Sequence, residues 1–133
     1  MNALQQFLLQ QDTSKVTKTI DLGGRLKGHP ITIKAITGDQ YTSFQQACIE
    51  NPNSAKKRRF NTKRFNELIV INATVDPNLK DAEMIKAAGV PDSANLLYKV
   101  FLAGEINTLS QAILELSGFD VDMDEAEEEV KNS

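Results

Sequence analysis

Residues 65–90, FNELIVINATVDPNLKDAEMIKAAGV, decide how the rest of the chain has to be read. Phe65, Leu68, Ile69, Asn72 and Ala73 recur at helical spacing and form one face. Val70, Ile71 and Val75 widen that face until the helix is apolar most of the way round, the pattern of a helix covered on several sides. Asp76-Pro77 stops it, because a proline pushes the residue before it out of the helical region. Asp81 is placed to cap a short second helix carrying Met84, Ile85 and Ala88, and Gly89 is placed to end it. A central helix, a sharp stop and a short helix are therefore the frame for the segments on either side.

On the N-terminal side, residues 51–62 hold Asn, Pro, Ser and a basic run, and read as an exposed loop. Before it, Thr37 and Gln40 match a capping box, and the helix they open carries Tyr41, Phe44 and Cys48 on one stripe. Residues 16–22 alternate, as do residues 31–36, ITIKAI, and a glycine-rich turn joins them. This is a β-hairpin that needs helices to lie on, since two strands alone are marginal. Residues 1–11 form a short glutamine-rich helix with Leu4, Phe7 and Leu8 on one side, a docking segment or a frayed end.

On the C-terminal side, Val90-Pro91-Asp92 re-caps the chain. Leu96, Leu97, Val100 and Phe101 mark the next helix, with Gly104 as its break, and Ile106, Leu109, Ile113 and Leu116 mark another. Gly118-Phe119 suits a Schellman ending, glycine left-handed and phenylalanine folding back. The apolar pattern lapses at Asp120. The expected fold is α+β and mainly α-helical. About five or six short helices pack with one N-terminal β-hairpin at about 16–36 in a single domain over residues 1–119, and residues 120–133 form an acidic mobile tail.

Composition narrows the function. The chain has 133 residues, enough for one domain with a real core. Its 41% hydrophobic and 25% charged residues are ordinary for a globular protein. No apolar run approaches the ~18 residues of a membrane span, and the first residues lack the pattern of a secretory signal. The one cysteine, Cys48, excludes an intramolecular disulfide framework and points to a reducing, cytoplasmic setting. The net charge of −3 is unevenly spread. Residues 120–133 hold seven acids and one base, which leaves 11 acids and 14 bases in residues 1–119. A body near +3 and a segment near −6 fit an interaction protein.

No constellation points to an enzyme. His29 lies in a Gly-His-Pro turn and Cys48 on an apolar stripe, so the ordinary readings are a turn histidine and a buried small hydrophobe. A nucleophilic pair would need both in hydrogen-bond reach within an accessible cleft. No nucleotide-binding, hydrolase, HExxH or CxxC motif is present. Asp120, Asp122 and Asp124 begin like an EF-hand loop, but Glu125 stands where glycine is needed and Lys131 where the bidentate glutamate belongs. The expectation is no catalytic residue, cofactor or metal. Lys56, Lys57, Arg58 and Arg59, with Lys63 and Arg64, place six bases in nine residues, next to Phe60. They are candidate partner-binding residues, and so are Asp120, Asp122, Asp124 and Glu125. A small nucleic-acid-binding regulator using residues 56–64 is the alternative, with Phe60 stacking on a base. The rival to that is a solvated loop in electrostatic contact with the acidic tail. Lys63 and Arg64 fall near the positive end of a helix dipole, which argues against a structural role for their charge.

The order of features resembles the phage tail assembly chaperone family of long-tailed phages and phage-like elements of Gram-positive bacteria. The pieces that carry it are Pro77-Asn78-Leu79-Lys80-Asp81-Ala82-Glu83, Leu102-Ala103-Gly104-Glu105, and Gly118-Phe119-Asp120 before the acidic end. The resemblance covers nearly the whole chain, most tightly from Leu68 to Asn132. It implies a non-enzymatic escort in the host cytoplasm that binds the tape-measure protein and keeps it soluble while the tail-tube protein polymerises. The major tail-tube protein and self-association are further implied contacts. The family supplies no catalytic residues to place here.

Overall fold

The computed structural model describes residues 1–119, and the acidic segment expected to be mobile lies outside them. Six helices run in chain order: α1 (Ala3–Gln10), α2 (Gly38–Ala47), α3 (Thr62–Ala73), α4 (Ala82–Ala88), α5 (Ser93–Val100) and α6 (Ala103–Leu116). Five strands interleave with them: β1 (Thr17–Ile20), β2 (Ile31–Lys34), β3 (Ile49–Glu50), β4 (Arg59–Phe60) and β5 (Thr74–Asp76). The fold is α+β and mainly helical.

The core forms where α3 meets α2, α5, α6 and the sheet. Ile69, Val70 and Ala73 of α3 are fully buried with Leu96 and Leu97 of α5 and Leu109 and Ile113 of α6. This is the consequence of apolar residues on several faces of α3. Capping fixes the helix starts. Asn2 and Gln5 make a capping box on α1, and Thr37 and Gln40 make one on α2. The Asp81 and Asp92 side chains accept backbone N–H groups at the starts of α4 and α5. Gly89 ends α4 at φ 72°, a conformation in which glycine meets no Cβ penalty. At the end of α6, Gly118 N–H donates to Glu115 and Phe119 N–H to Leu114, the Schellman pattern.

The hairpin pairs β1 with β2 antiparallel, Ile20 opposite Ile31 and Thr17 opposite Lys34. Its turn is held by the Asp21 carboxylate, which accepts from the Gly23 and Gly28 amides. Ile31 and Ile33 point into the core from β2.

Four expectations need correction. The central helix does not reach Val75, because residues 74–76 pair as β5 with β2, giving a three-stranded sheet of order β1-β2-β5. The open edge of β2 offers ladder hydrogen bonds there, and β-branched Thr74 and Val75 favour extended backbone over a further helical turn. Residues 51–62 are not wholly a loop. Arg59–Phe60 pairs with Ile49–Glu50, so a second small hairpin closes over residues 51–58. Asn51 shapes it at φ 54°, with its amide donating to the Lys57 carbonyl. Gly104 does not break a helix. The break falls at Phe101-Leu102, and Gly104 lies in the first turn of α6. The charge of Lys63 does have a structural partner, since its Nζ sits 4.9 Å from the centre of the Tyr98 ring.

Candidate functional site

Two surfaces and one groove stand out. The first surface is α1. Its capping box fixes the start, and its one apolar side carries Leu4, Phe7 and Leu8, exposed by 64%, 56% and 61%. No residue of α1 is buried, and residues 2–11 carry no ionisable side chain. An isolated helix of eight residues is marginal in water, and none of the residues of this one is buried among the described residues. Of the two readings of this segment, the structure has the helix formed and unpartnered among the described residues.

The second surface is the β3–β4 hairpin. Lys56, Lys57, Arg58 and Arg59 are all exposed on it. Among the described residues none of them makes a salt bridge, and the one ion pair there joins Arg25 to Glu105 at 2.6 Å. Phe60 is 47% exposed, but its ring already lies 5.3 Å from that of Phe65. The structure brings Arg64 beside these bases at the start of α3, and it turns Lys63 toward Tyr98 instead. The candidate acids Asp120, Asp122, Asp124 and Glu125 lie outside the described residues.

The groove, of about 230 Å³, lies between the sheet and the junction of α5 with α6. Leu26, Pro30, Ile31, Pro77, Met84 and Phe101 line it. Val100 also lines it, and Arg25 donates to the Val100 carbonyl at 2.6 Å and to both oxygens of Glu105. The guanidinium, with the Leu102 amide, holds the Glu105 carboxyl below its ordinary range. This clamp ties the turn of the first hairpin to a helix junction 80 residues away. It is not legible from residue patterns, because nothing local pairs Arg25 with Glu105.

A second missed feature is Glu67. The sequence pattern makes α3 apolar most of the way round and assigns Glu67 no role, yet Glu67 is buried at 9% exposure. It accepts a 2.7 Å hydrogen bond from the Tyr98 hydroxyl. Burial and this bond push the Tyr98 phenol up to about 12. The spacing of Glu67 from Leu68 and Ile71 placed it beside the core face, but its partner comes from another helix and is not readable locally.

Cys48 is 1% exposed, and burial pushes its thiol up, so it lacks both access and thiolate character. His29 lies exposed in the β1–β2 connection. Among the described residues no three His, Cys, Asp or Glu side chains gather as a metal site. No helix there is long and apolar enough to cross a membrane.

A capped helix with an exposed apolar side, a basic hairpin without a salt bridge among the described residues and a small apolar groove are the surfaces the fold presents. Residues 4–131 match the family model for phage XkdN-like tail assembly chaperone proteins, and the chain belongs to that family. It is 30% identical over 108 residues to the uncharacterized protein YqbN of Bacillus subtilis (strain 168), covering 77% of this chain and 72% of that one. The crystal structure of YqbN superposes with a TM-score of 0.69 at 21% identity, across 90% of this chain and 99% of that chain, which shows the same fold. The protein therefore has a role in phage tail assembly.

Proposed function

We propose that the chain is a non-enzymatic escort that binds the tape-measure protein in the host cytoplasm and keeps it soluble while the tail tube is built. The observation that carries this reading is α1, whose Leu4, Phe7 and Leu8 are more than half exposed and of which no residue is buried among the described residues. An apolar helix face of this kind is matched by a second amphipathic helix, and recognition then runs through anchors at i, i+3 and i+4. A long helical rod destined for the inside of a tube offers such faces repeatedly. Several copies along one client, contacts between copies, and a hand-over to the major tail-tube protein all follow from this role. The groove beside Arg25 is a smaller apolar surface that a second client segment would fill.

A photo-crosslinking residue at Phe7 of the full chain, co-expressed with the tape-measure protein, tests the assignment. The expected result is a covalent adduct with the tape-measure protein from position 7. An adduct formed from a probe at Lys57 but not from Phe7 would move the client to the basic hairpin and overturn it.

A further inference from the structure

We propose that the acidic segment after α6 docks on the β3–β4 hairpin of its own chain, so that Lys56–Arg59 form a built-in receptor for residues 120–129. This goes beyond the escort reading and does not rest on it.

Of the 14 bases in residues 1–119, six lie between Lys56 and Arg64. Lys63 is held over Tyr98, and the remaining cations of the hairpin find no carboxylate among the described residues. The nearby acids are already engaged. Glu50 accepts from the Asn61 amide, and Glu67 accepts from the Tyr98 hydroxyl. Exposed like charges this close repel one another, so the hairpin favours an anionic occupant.

The placement of the chain end supplies one. Ser117 fixes the end of α6 to the connection between β2 and α2 by accepting the Ile36 N–H at 2.9 Å. Phe119 then turns back, and its ring lies 4.8 Å from Tyr41. Tyr41 lies 5.4 Å from Phe65, and Phe65 lies 5.3 Å from Phe60, the neighbour of Arg59. One row of four aromatic rings thus joins the exit of the acidic segment to the base of the basic hairpin. Asp120, Asp122, Asp124, Glu125, Glu127, Glu128 and Glu129 all follow within ten residues, and ten residues span up to about 33 Å when extended. The segment therefore reaches the hairpin with slack. Tethering keeps its local concentration in the millimolar range, which sustains a weak charge–charge contact. Such a contact is electrostatic and exposed, so it is released by salt or by a competing polyanion.

The test attaches a nitroxide to Ser133→Cys in the full chain, with native Cys48 left in place because it is 1% exposed. The readout is paramagnetic broadening of backbone amide signals. The expected result at 0.1 M salt is strong broadening at Lys56, Lys57 and Arg58. It should disappear at 1 M salt, where the Debye length falls from about 10 Å to about 3 Å. It should also disappear when Asp122, Asp124, Glu125, Glu127, Glu128 and Glu129 are replaced by their amides. Broadening that is absent at 0.1 M, or insensitive to salt and to the amide variant, overturns the proposal. A mixture of spin-labelled chain and isotope-labelled, nitroxide-free chain supplies the second control. Broadening there places the segment on a neighbouring copy and overturns the within-chain assignment. Retention on duplex DNA at 0.1 M salt through Lys56–Arg59, without hairpin broadening, would assign the surface to nucleic acid instead.

Discussion

Replacing Leu4, Phe7 and Leu8 together by alanine separates binding from folding. Fully burying a Leu or Phe side chain contributes about 1.5–3 kcal/mol. These three are 64%, 56% and 61% exposed, so roughly half of that remains to be gained on binding. Discounting for incomplete burial leaves about 1 kcal/mol each, or about 3 kcal/mol for the three. That corresponds to a loss of affinity of roughly 10²-fold. Alanine keeps the helix, because it has the highest helical propensity and the Asn2–Gln5 capping box is untouched. The body loses no packing, since no residue of α1 is buried, and its stability should change by less than about 0.5 kcal/mol. The assay has two arms. Light scattering follows the purified tape-measure protein as it is diluted from urea with wild-type or variant chain, and a urea melt follows the chain alone. An unchanged melt with lost protection at equal concentration is the expected pair. Full protection by the variant would refute the argument, and so would a drop in its own stability of several kcal/mol.

Three further outcomes follow from the structure. Ile69→Ala empties a fully buried position at the meeting of α3 with its neighbours, and a urea melt should show a loss of about 2–5 kcal/mol. Gly118→Ala forces a Cβ into φ 96° at the Schellman ending and should cost about 1–2 kcal/mol by the same measurement, with no change in α1-dependent protection. The carboxyls of Glu105, Asp21 and Asp92 are held low, by Arg25, by the Gly23 and Gly28 amides, and by Asn95 respectively. A lowered folded pKa gives stability that is present above the ordinary carboxylate range and is lost as pH falls through the folded value. Thermal melts of the wild type should therefore fall below about pH 4, and Glu105→Gln should be less stable than wild type at pH 7, with the difference shrinking as the pH drops.

Much of this architecture was legible because its causes are local. The face of Phe65, Leu68, Ile69 and Ala73 is a periodicity, and Thr37, Asp81, Asp92, Gly89 and Gly118 act on their own chain neighbours. The failures have the opposite character. Thr74–Asp76 became a strand because β2 had an unpaired edge, a fact belonging to another part of the chain. Residues 49–60 closed into a hairpin with only two residues on each strand, too few for any alternation to show. Arg25 with Glu105, and Glu67 with Tyr98, are partners separated by 80 and 31 residues. Of the candidate site, the basic run was visible from its charge alone, and its mounting on a hairpin was not. The apolar side of α1 was visible too. That none of its residues joins the core among the described residues follows only from the packing of the other helices.

The most direct measurement is the soluble yield of the tape-measure protein expressed alone and with this chain. The tape-measure protein should be insoluble alone and be recovered soluble, in a complex carrying the chain, when the two are made together. An unchanged insoluble fraction, with no complex recovered, would contradict the escort role.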